Sequence, residues 1–151
     1  MEISAEIVKE LRDKTGISVM ECKKALVAAD GDMQKALQIL KERSLAMAEK
    51  KQDRELGAGT VAAYVHSTAQ VGSLVLLSSE TDFVSKNEEF VALARDIAMH
   101  AAAMRNADIT TVLAEPFIKD SSMTIADLLS AATQKFGERI QITKLDIFSV
   151  R

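Results

Sequence analysis

With 151 residues the chain has room for one ordinary domain, or for a small helical module joined to a compact second one. Apolar residues make up 48% of it, too many for a disordered chain, and with only five phenylalanines and one tyrosine the core must be filled by aliphatic side chains and methionine. Nineteen Lys and Arg against 22 Asp and Glu leave a net charge of −3, the wrong sign for direct binding to nucleic acid through a broad basic field.

In chain order, Ser4 opens a helix with Ile7, Val8 and Leu11 on one face, and Gly16 is placed to end it in the left-handed conformation. Ser18-Val19-Met20-Glu21 reads as a capping box that starts a second helix with Cys22, Ala25, Leu26 and Ala29 as its apolar face. Asp30-Gly31 stops it, and Asp32 caps a third helix carrying Met33, Ala36, Leu37 and Leu40, with a continuation through Leu45, Met47 and Ala48 toward Lys51. Three short helices form a small bundle, and the polar run from Gln52 to Gly59, ending in Gly-Ala-Gly, reads as a hinge. The expected domains are residues 1–55, helical with a linker, and residues 56–151.

Beyond the hinge the period changes to two. Val61, Ala63 and Val65 alternate with Ala62, Tyr64 and His66, and a second run from Val71 to Leu77 follows Ser67–Gln70, which predicts an antiparallel hairpin. The uncharged stretch from Leu56 to Ser79 is long enough to raise the question of a membrane span, but its three glycines, His66, Gln70 and many hydroxyl residues favour the hairpin. Ser85 or Asn87 caps a long helix with Phe90, Leu93, Ala94, Ile97, Ala98, Ala101 and Met104 as its stripe. A loop passes the only proline, Pro116; Thr124 caps a further helix with Ile125, Leu128, Leu129 and Phe136, and Gly137 ends it. A last strand spans Ile140–Val150, with its alternation broken near Thr143-Lys144, as a β-bulge would do. The fold class is α+β: a three-helix module, then an antiparallel sheet packed with helices.

One cysteine and two histidines make neither an intrachain disulfide nor a Cys/His zinc set, which suits a metal-free protein of a reducing compartment, and Glu2, Glu6 and Glu10 occupy the place of a basic signal-peptide start. Ser78, Ser79, Asp82 and His66 do not define a hydrolase, because no glycine-flanked nucleophile turn accompanies them. Gly57, Gly59 and Gly72 do not have the spacing of a phosphate loop. Cys22 reads as a core thiol, His100 as a solvated or half-buried ring, and His66 as an exposed residue at a strand end. The run Glu80-Thr81-Asp82-Phe83-Val84 stands apart, because a phenyl ring whose burial is worth roughly 2 to 3 kcal/mol sits in a polar segment. Two readings stand: Phe83 folds back under the long helix as a staple, or it is an interface hot spot with Asp82 beside it.

Leu11-Arg12-Asp13-Lys14-Thr15-Gly16 followed by Cys22-Lys23-Lys24-Ala25-Leu26, and then Glu80-Thr81-Asp82-Phe83-Val84-Ser85-Lys86, resemble the two signatures of bacterial-type elongation factor Ts, in the same order and at the same spacing. The resemblance extends through Tyr64-Val65-His66, Ile97-Ala98-Met99-His100, Pro116-Phe117-Ile118-Lys119-Asp120 and Gly137-Glu138-Arg139-Ile140. The chain departs from the family pattern at Leu76 and Ser78, where Glu and Asn are usual, at Thr143-Lys144, where an Arg pair is frequent, and at Arg105–Glu115, a short connection where a long helical segment is common.

The resemblance implies a non-enzymatic, cofactor-free guanine-nucleotide exchange factor for GDP-bound elongation factor Tu, cytoplasmic or in the equivalent organellar compartment. In that reading Thr81, Asp82, Phe83 and Val84 disturb the partner's magnesium and phosphate site. A ubiquitin-associated-like first module docks through Arg12, Val19, Met20 and Lys23, His66 makes a further contact, and a homodimer supplies the second core half found in long members. The alternative is a translation-associated or ribosome-bound adaptor of the same fold without exchange activity.

Overall fold

The computed structural model describes residues 2–151. These divide into two compact units, one reaching to Asp53 and also taking Ser130–Gly137, the other comprising Arg54–Leu129 and Glu138–Arg151.

The first unit contains α1 (Ala5–Thr15), α2 (Val19–Ala28) and α3 (Met33–Lys51). Ser4 caps α1 by accepting from the N–H of Ile7, and Gly16 ends it at φ 71°, where its lack of a Cβ is required. Ser18 caps α2 by accepting from Glu21 N–H at 3.3 Å. The expected reciprocal bond from Glu21 is replaced by ion pairs of its carboxylate with Lys24 at 3.2 Å and Arg43 at 3.6 Å. Asp32 caps α3, which does run on to Lys51. Val8, Leu11, Ile17, Cys22, Ala25, Leu26, Ala29, Ala36 and Leu40 form the bundle's core. The buried Ser44 hydroxyl donates to Leu40 O and to Gln134 of the 130–137 segment.

The second unit is built on an antiparallel sheet of order β1-β2-β5, with β1 (Ala58–Val65), β2 (Val71–Ser79) and β5 (Gln141–Ser149). Of the Gly-Ala-Gly expected to end a hinge, Gly57 precedes β1 while Ala58 and Gly59 already belong to it. Gly59 allows close approach there, since a Cβ would lie 2.9 Å from the carbonyl of Leu77. The bulge is at the expected place: Leu76 pairs with Lys144 and Leu77 with Ile142, leaving Thr143 as the extra residue.

One sheet face carries Ala62, Val71, Ser73, Val75, Leu77, Ile142 and Leu145, all buried, with α5 (Glu88–Met104) packed on it through β1 and β2. Asn87 caps α5, and Phe90, Ala94, Ile97, Ala98 and Ala101 are its fully buried stripe, while Met104 emerges into solvent. The other face presents Val61, Ala63 and Val65 of β1, Leu74 and Leu76 of β2, and Phe148 of β5; Val65 is 68% and Phe148 75% exposed. Residues 105–115, expected as a plain connection, contain α6 (Ile109–Ala114), and a second small sheet of β3 (Pro116–Phe117) with β4 (Asp120–Thr124) follows where only a loop was expected. Strands this short carry too little periodicity to be legible.

Thr124 and Asp127 form a reciprocal capping box at the start of α7 (Ile125–Phe136), and Gly137 ends that helix at φ 71°. The observed protein is an α+β fold of helices and antiparallel strands. No described helix is long and apolar enough to cross a membrane.

Candidate functional site

Thr81, Asp82, Phe83 and Val84 occupy the corner where β2 ends and the four-residue helix α4 (Asp82–Ser85) begins. The polypeptide turns there because Thr81 is extended (φ −127°, ψ 154°) and its carbonyl then accepts the first helical N–H, from Ser85 at 3.2 Å. Val84 and Ser85 are buried and anchor the short helix. Hydroxyls fix it further: Thr60 Oγ1 of β1 donates to Ser85 O at 2.6 Å, and Ser85 Oγ to Asp82 O at 3.2 Å. Phe83 is left pointing away from this anchorage and is 88% exposed. The staple reading is thereby overturned. Val84 is turned inward on the same short helix, and Phe83, one position before it, faces out.

The corner is also held from the other side. The N–H groups of Glu80 and Thr81 both donate to Glu138 Oε1, at 3.1 and 3.0 Å, and the Thr81 hydroxyl donates to Glu138 Oε2 at 2.7 Å. Thr81 thus spends its hydroxyl on Glu138 and makes no cap bond to α4. In return the N–H of Arg139 donates to Glu80 Oε2, while the Arg139 guanidinium donates to Arg54 O and Gln141 Oε1, each at 2.7 Å. Ser79 Oγ adds a bond to Thr81 O at 3.0 Å. Glu80, Glu138 and Arg139 did not emerge as site residues from the sequence. The available signal was Gly137, a helix exit whose following residues are held at a defined corner.

His66 lies elsewhere. It follows the turn end of β1, whereas Ser79 and the Thr81 corner follow the opposite end of β2, about 25 Å away along nine residues of extended strand. Its Nδ1 faces Tyr64 Oη at 3.1 Å and the ring is exposed. Ser79, Asp82 and His66 therefore do not meet, and no nucleophile stands beside a base here.

On the first unit, Arg12, Val19, Met20 and Lys23 are all exposed. Val19 and Met20 reach Lys23 at intervals of four and three on α2, flanking the buried Cys22, Ala25 and Leu26, and Val27, 56% exposed, extends the strip by a turn. Cys22 is buried as expected, and burial raises its thiol pKa. His100, expected to be solvated or half-buried, is fully buried instead. Its Nδ1 accepts from Ile118 N–H at 3.2 Å, so the ring hydrogen is on Nε2, 3.2 Å from Glu115 Oε1. Two hydrogen-bond partners supplied by residues 115–118 let the imidazole replace an apolar side chain in the core.

Two departures from the family pattern touch: Thr143 Oγ1, on the bulge, donates to the buried Ser78 hydroxyl at 2.6 Å. Chemically, the Thr81 corner offers an apolar ring and the exposed side chain of Asp82 on a clamped support, an arrangement suited to recognising another macromolecule.

The family model described as "Elongation factor TS" matches residues 80–151. The elongation factor Ts of a Synechococcus strain is 33% identical over 194 residues, covering 98% of this chain and 89% of the relative. That of Acetivibrio thermocellus is 44% identical over 149 residues, covering 97% and 69%. That of Thermosipho melanesiensis is 56% identical over 102 residues, covering 68% and 52%. The chain belongs to the elongation factor Ts family, and its role lies in the elongation stage of protein synthesis.

Proposed function

We propose that this protein is a non-enzymatic guanine-nucleotide exchange factor that acts on GDP-bound elongation factor Tu. The observation that carries the reading is the 88% exposure of Phe83 on a corner clamped from two sides. Leaving a phenyl ring in water forgoes roughly 2 to 3 kcal/mol of burial, which a partner's apolar pocket would recover. Asp82 enters beside it. GDP on elongation factor Tu is held by a magnesium ion and a backbone cradle around its phosphates, so a wedge that displaces the metal's surroundings loosens the nucleotide without competing for its pocket. Because such coupling is reciprocal, GDP weakens the exchange factor's own binding by the same factor.

The first unit is a ubiquitin-associated-like module that docks on the same partner through Arg12, Val19, Met20 and Lys23. Met20, 65% exposed, serves there as an adaptable apolar contact. His66, exposed at its strand end, contributes separately from the Phe83 corner. The protein works as a homodimer, for which the open sheet face bearing Val61, Val65, Leu74 and Phe148 provides an apolar surface.

Release of fluorescent GDP from elongation factor Tu, measured with and without catalytic amounts of the chain, tests the activity. The parent should accelerate release. Phe83→Ala should lower that acceleration roughly tenfold to a hundredfold while its circular dichroism and melting stay near the parent's, since the ring contributes little to its own fold. Unchanged release with the parent would favour the adaptor without exchange activity.

A further inference from the structure

The clamp beneath Phe83 has a consequence for activity. We propose that Glu138 is a positioning residue for exchange: its carboxylate, by accepting from Glu80 N–H, Thr81 N–H and the Thr81 hydroxyl, holds the corner in the conformation that presents Asp82 and Phe83. This rests on the exchange reading above and adds to it a residue that contributes through the backbone of another segment.

The geometry gives the reason. The backbone at Glu80–Thr81 leaves the sheet, so its N–H groups lose their ladder partners: the last β1–β2 pair is Ala58 with Ser79, and the last β2–β5 pair is Ser78 with Gln141. Two adjacent donors at the exit of a strand are ordinarily left to water, and the chain there is free to turn in several ways. Here one carboxylate oxygen receives both, at 3.1 and 3.0 Å, and its second oxygen receives the hydroxyl of Thr81 at 2.7 Å. A carboxylate is an acceptor with two oxygens, and bonds to it are shorter and stronger than neutral ones. The clamp is reciprocal, because Glu80 accepts from the N–H of Arg139, next to Glu138. Each corner is therefore held by the side chain of the other. Phe83 is almost fully exposed, so the direction of the ring is set by the backbone at Thr81 and by the anchored Val84 and Ser85.

A group that only orders the binding-competent conformation changes the fraction of molecules in that conformation. Its loss weakens apparent affinity by that fraction and leaves the rate of the fully bound complex as it was. Glu138→Ala should raise the concentration of this protein needed for half-maximal GDP release from elongation factor Tu by roughly tenfold, with the saturating rate close to the parent's. Phe83→Ala, by contrast, should depress the saturating rate. Glu138→Gln keeps a carbonyl for the two N–H groups and an amide that can donate to Thr81 Oγ1, so it should recover most of the loss.

The structural half is read separately by NMR. Amide hydrogen exchange at Glu80 and Thr81 should quicken in Glu138→Ala and return toward the parent's rate in Glu138→Gln, while amides in the centre of β2 stay protected. Should Glu138→Ala prove too unstable to measure, Thr81→Val, which deletes only the hydroxyl bond, should produce a smaller shift of the same kind. An unchanged half-maximal concentration in Glu138→Ala, or a fall confined to the saturating rate, overturns the assignment. So does undiminished protection at Glu80 and Thr81. A parent chain that fails to accelerate GDP release overturns the exchange reading and the functional half of this inference with it, and the amide measurements then decide whether Glu138 orders the corner.

Discussion

The thiol of Cys22 is fully buried, donates to Ile17 O at 3.5 Å and lies 3.8 Å from Thr15 Oγ1. Burial pushes its pKa up, against smaller opposing effects of Thr15 and Arg12. The native chain therefore retains a proton that the unfolded chain releases once pH passes the ordinary thiol value of about 8.5. Since the folded state then binds more protons, stability falls as pH rises from that value toward the native pKa. Comparing thermal unfolding of the parent and Cys22→Ala from about pH 8 to about pH 10 should show the parent losing more of its stability over that window, with other titrations cancelling in the difference. Parallel curves would mean the thiol is unperturbed. Phe83 illustrates the opposite placement: a residue whose type suits the core stands outside it, and composition alone cannot distinguish the two because both begin from an apolar ring in a polar run.

Helix and strand identities follow from caps, exits and periods that are local in the chain. Ser4, Ser18, Asp32, Asn87 and Thr124 all cap the helices expected of them, because a side-chain oxygen within three residues of an orphan N–H needs no tertiary help. Gly59 belongs to a different category. Its neighbours read as a hinge from composition, but the residue is needed for strand pairing, where a Cβ would meet Leu77 O at 2.9 Å and Leu76 Cδ1 at 3.2 Å. Gly57, whose Cβ would meet Glu80 O only at 3.6 Å, is not so constrained. Gly59→Ala should destabilise the protein by about 1 to 3 kcal/mol, as overpacking does, and Gly57→Ala should cost less; denaturant unfolding of the two variants side by side measures the difference. The bulge at Thr143 was legible because an extra residue shifts every later apolar position to the other parity. The partnership of Thr143 with Ser78, 65 residues away, was not.

The two compact units have separate cores, and the second leaves one face of its sheet uncovered. That face follows from strand alternation: with Ala62, Val75 and Leu145 turned to α5, the residues between them must turn away, and in this chain those include Val61, Val65, Leu74 and Phe148. The same face carries the exposed Lys144 and Asp146 of β5, opposite Leu76 and Leu74, and it is the contact surface of the homodimer proposed above. Light scattering over a dilution series should therefore give a dimer mass that falls at low concentration, and Val65→Asp with Phe148→Asp should shift the equilibrium to monomer without loss of secondary structure. A concentration-independent monomer that exchanges nucleotide at the full rate would remove the homodimer from the account.

From the order of residues alone came the α+β class, the helix starts and stops, the hairpin, the bulge and the two signature runs, since each depends on spacings within about a dozen residues. Tertiary structure decided what depends on groups far apart in the chain: that His100 is satisfied inside the core by Glu115 and Ile118, that His66 stands at the far end of the hairpin from Phe83, and that Glu138 clamps Thr81 from 57 residues away. It also decided that Phe83 faces water. Which way a ring points from a corner is settled by which neighbours the core takes, and here Val84 and Ser85 of the same short helix are the buried ones.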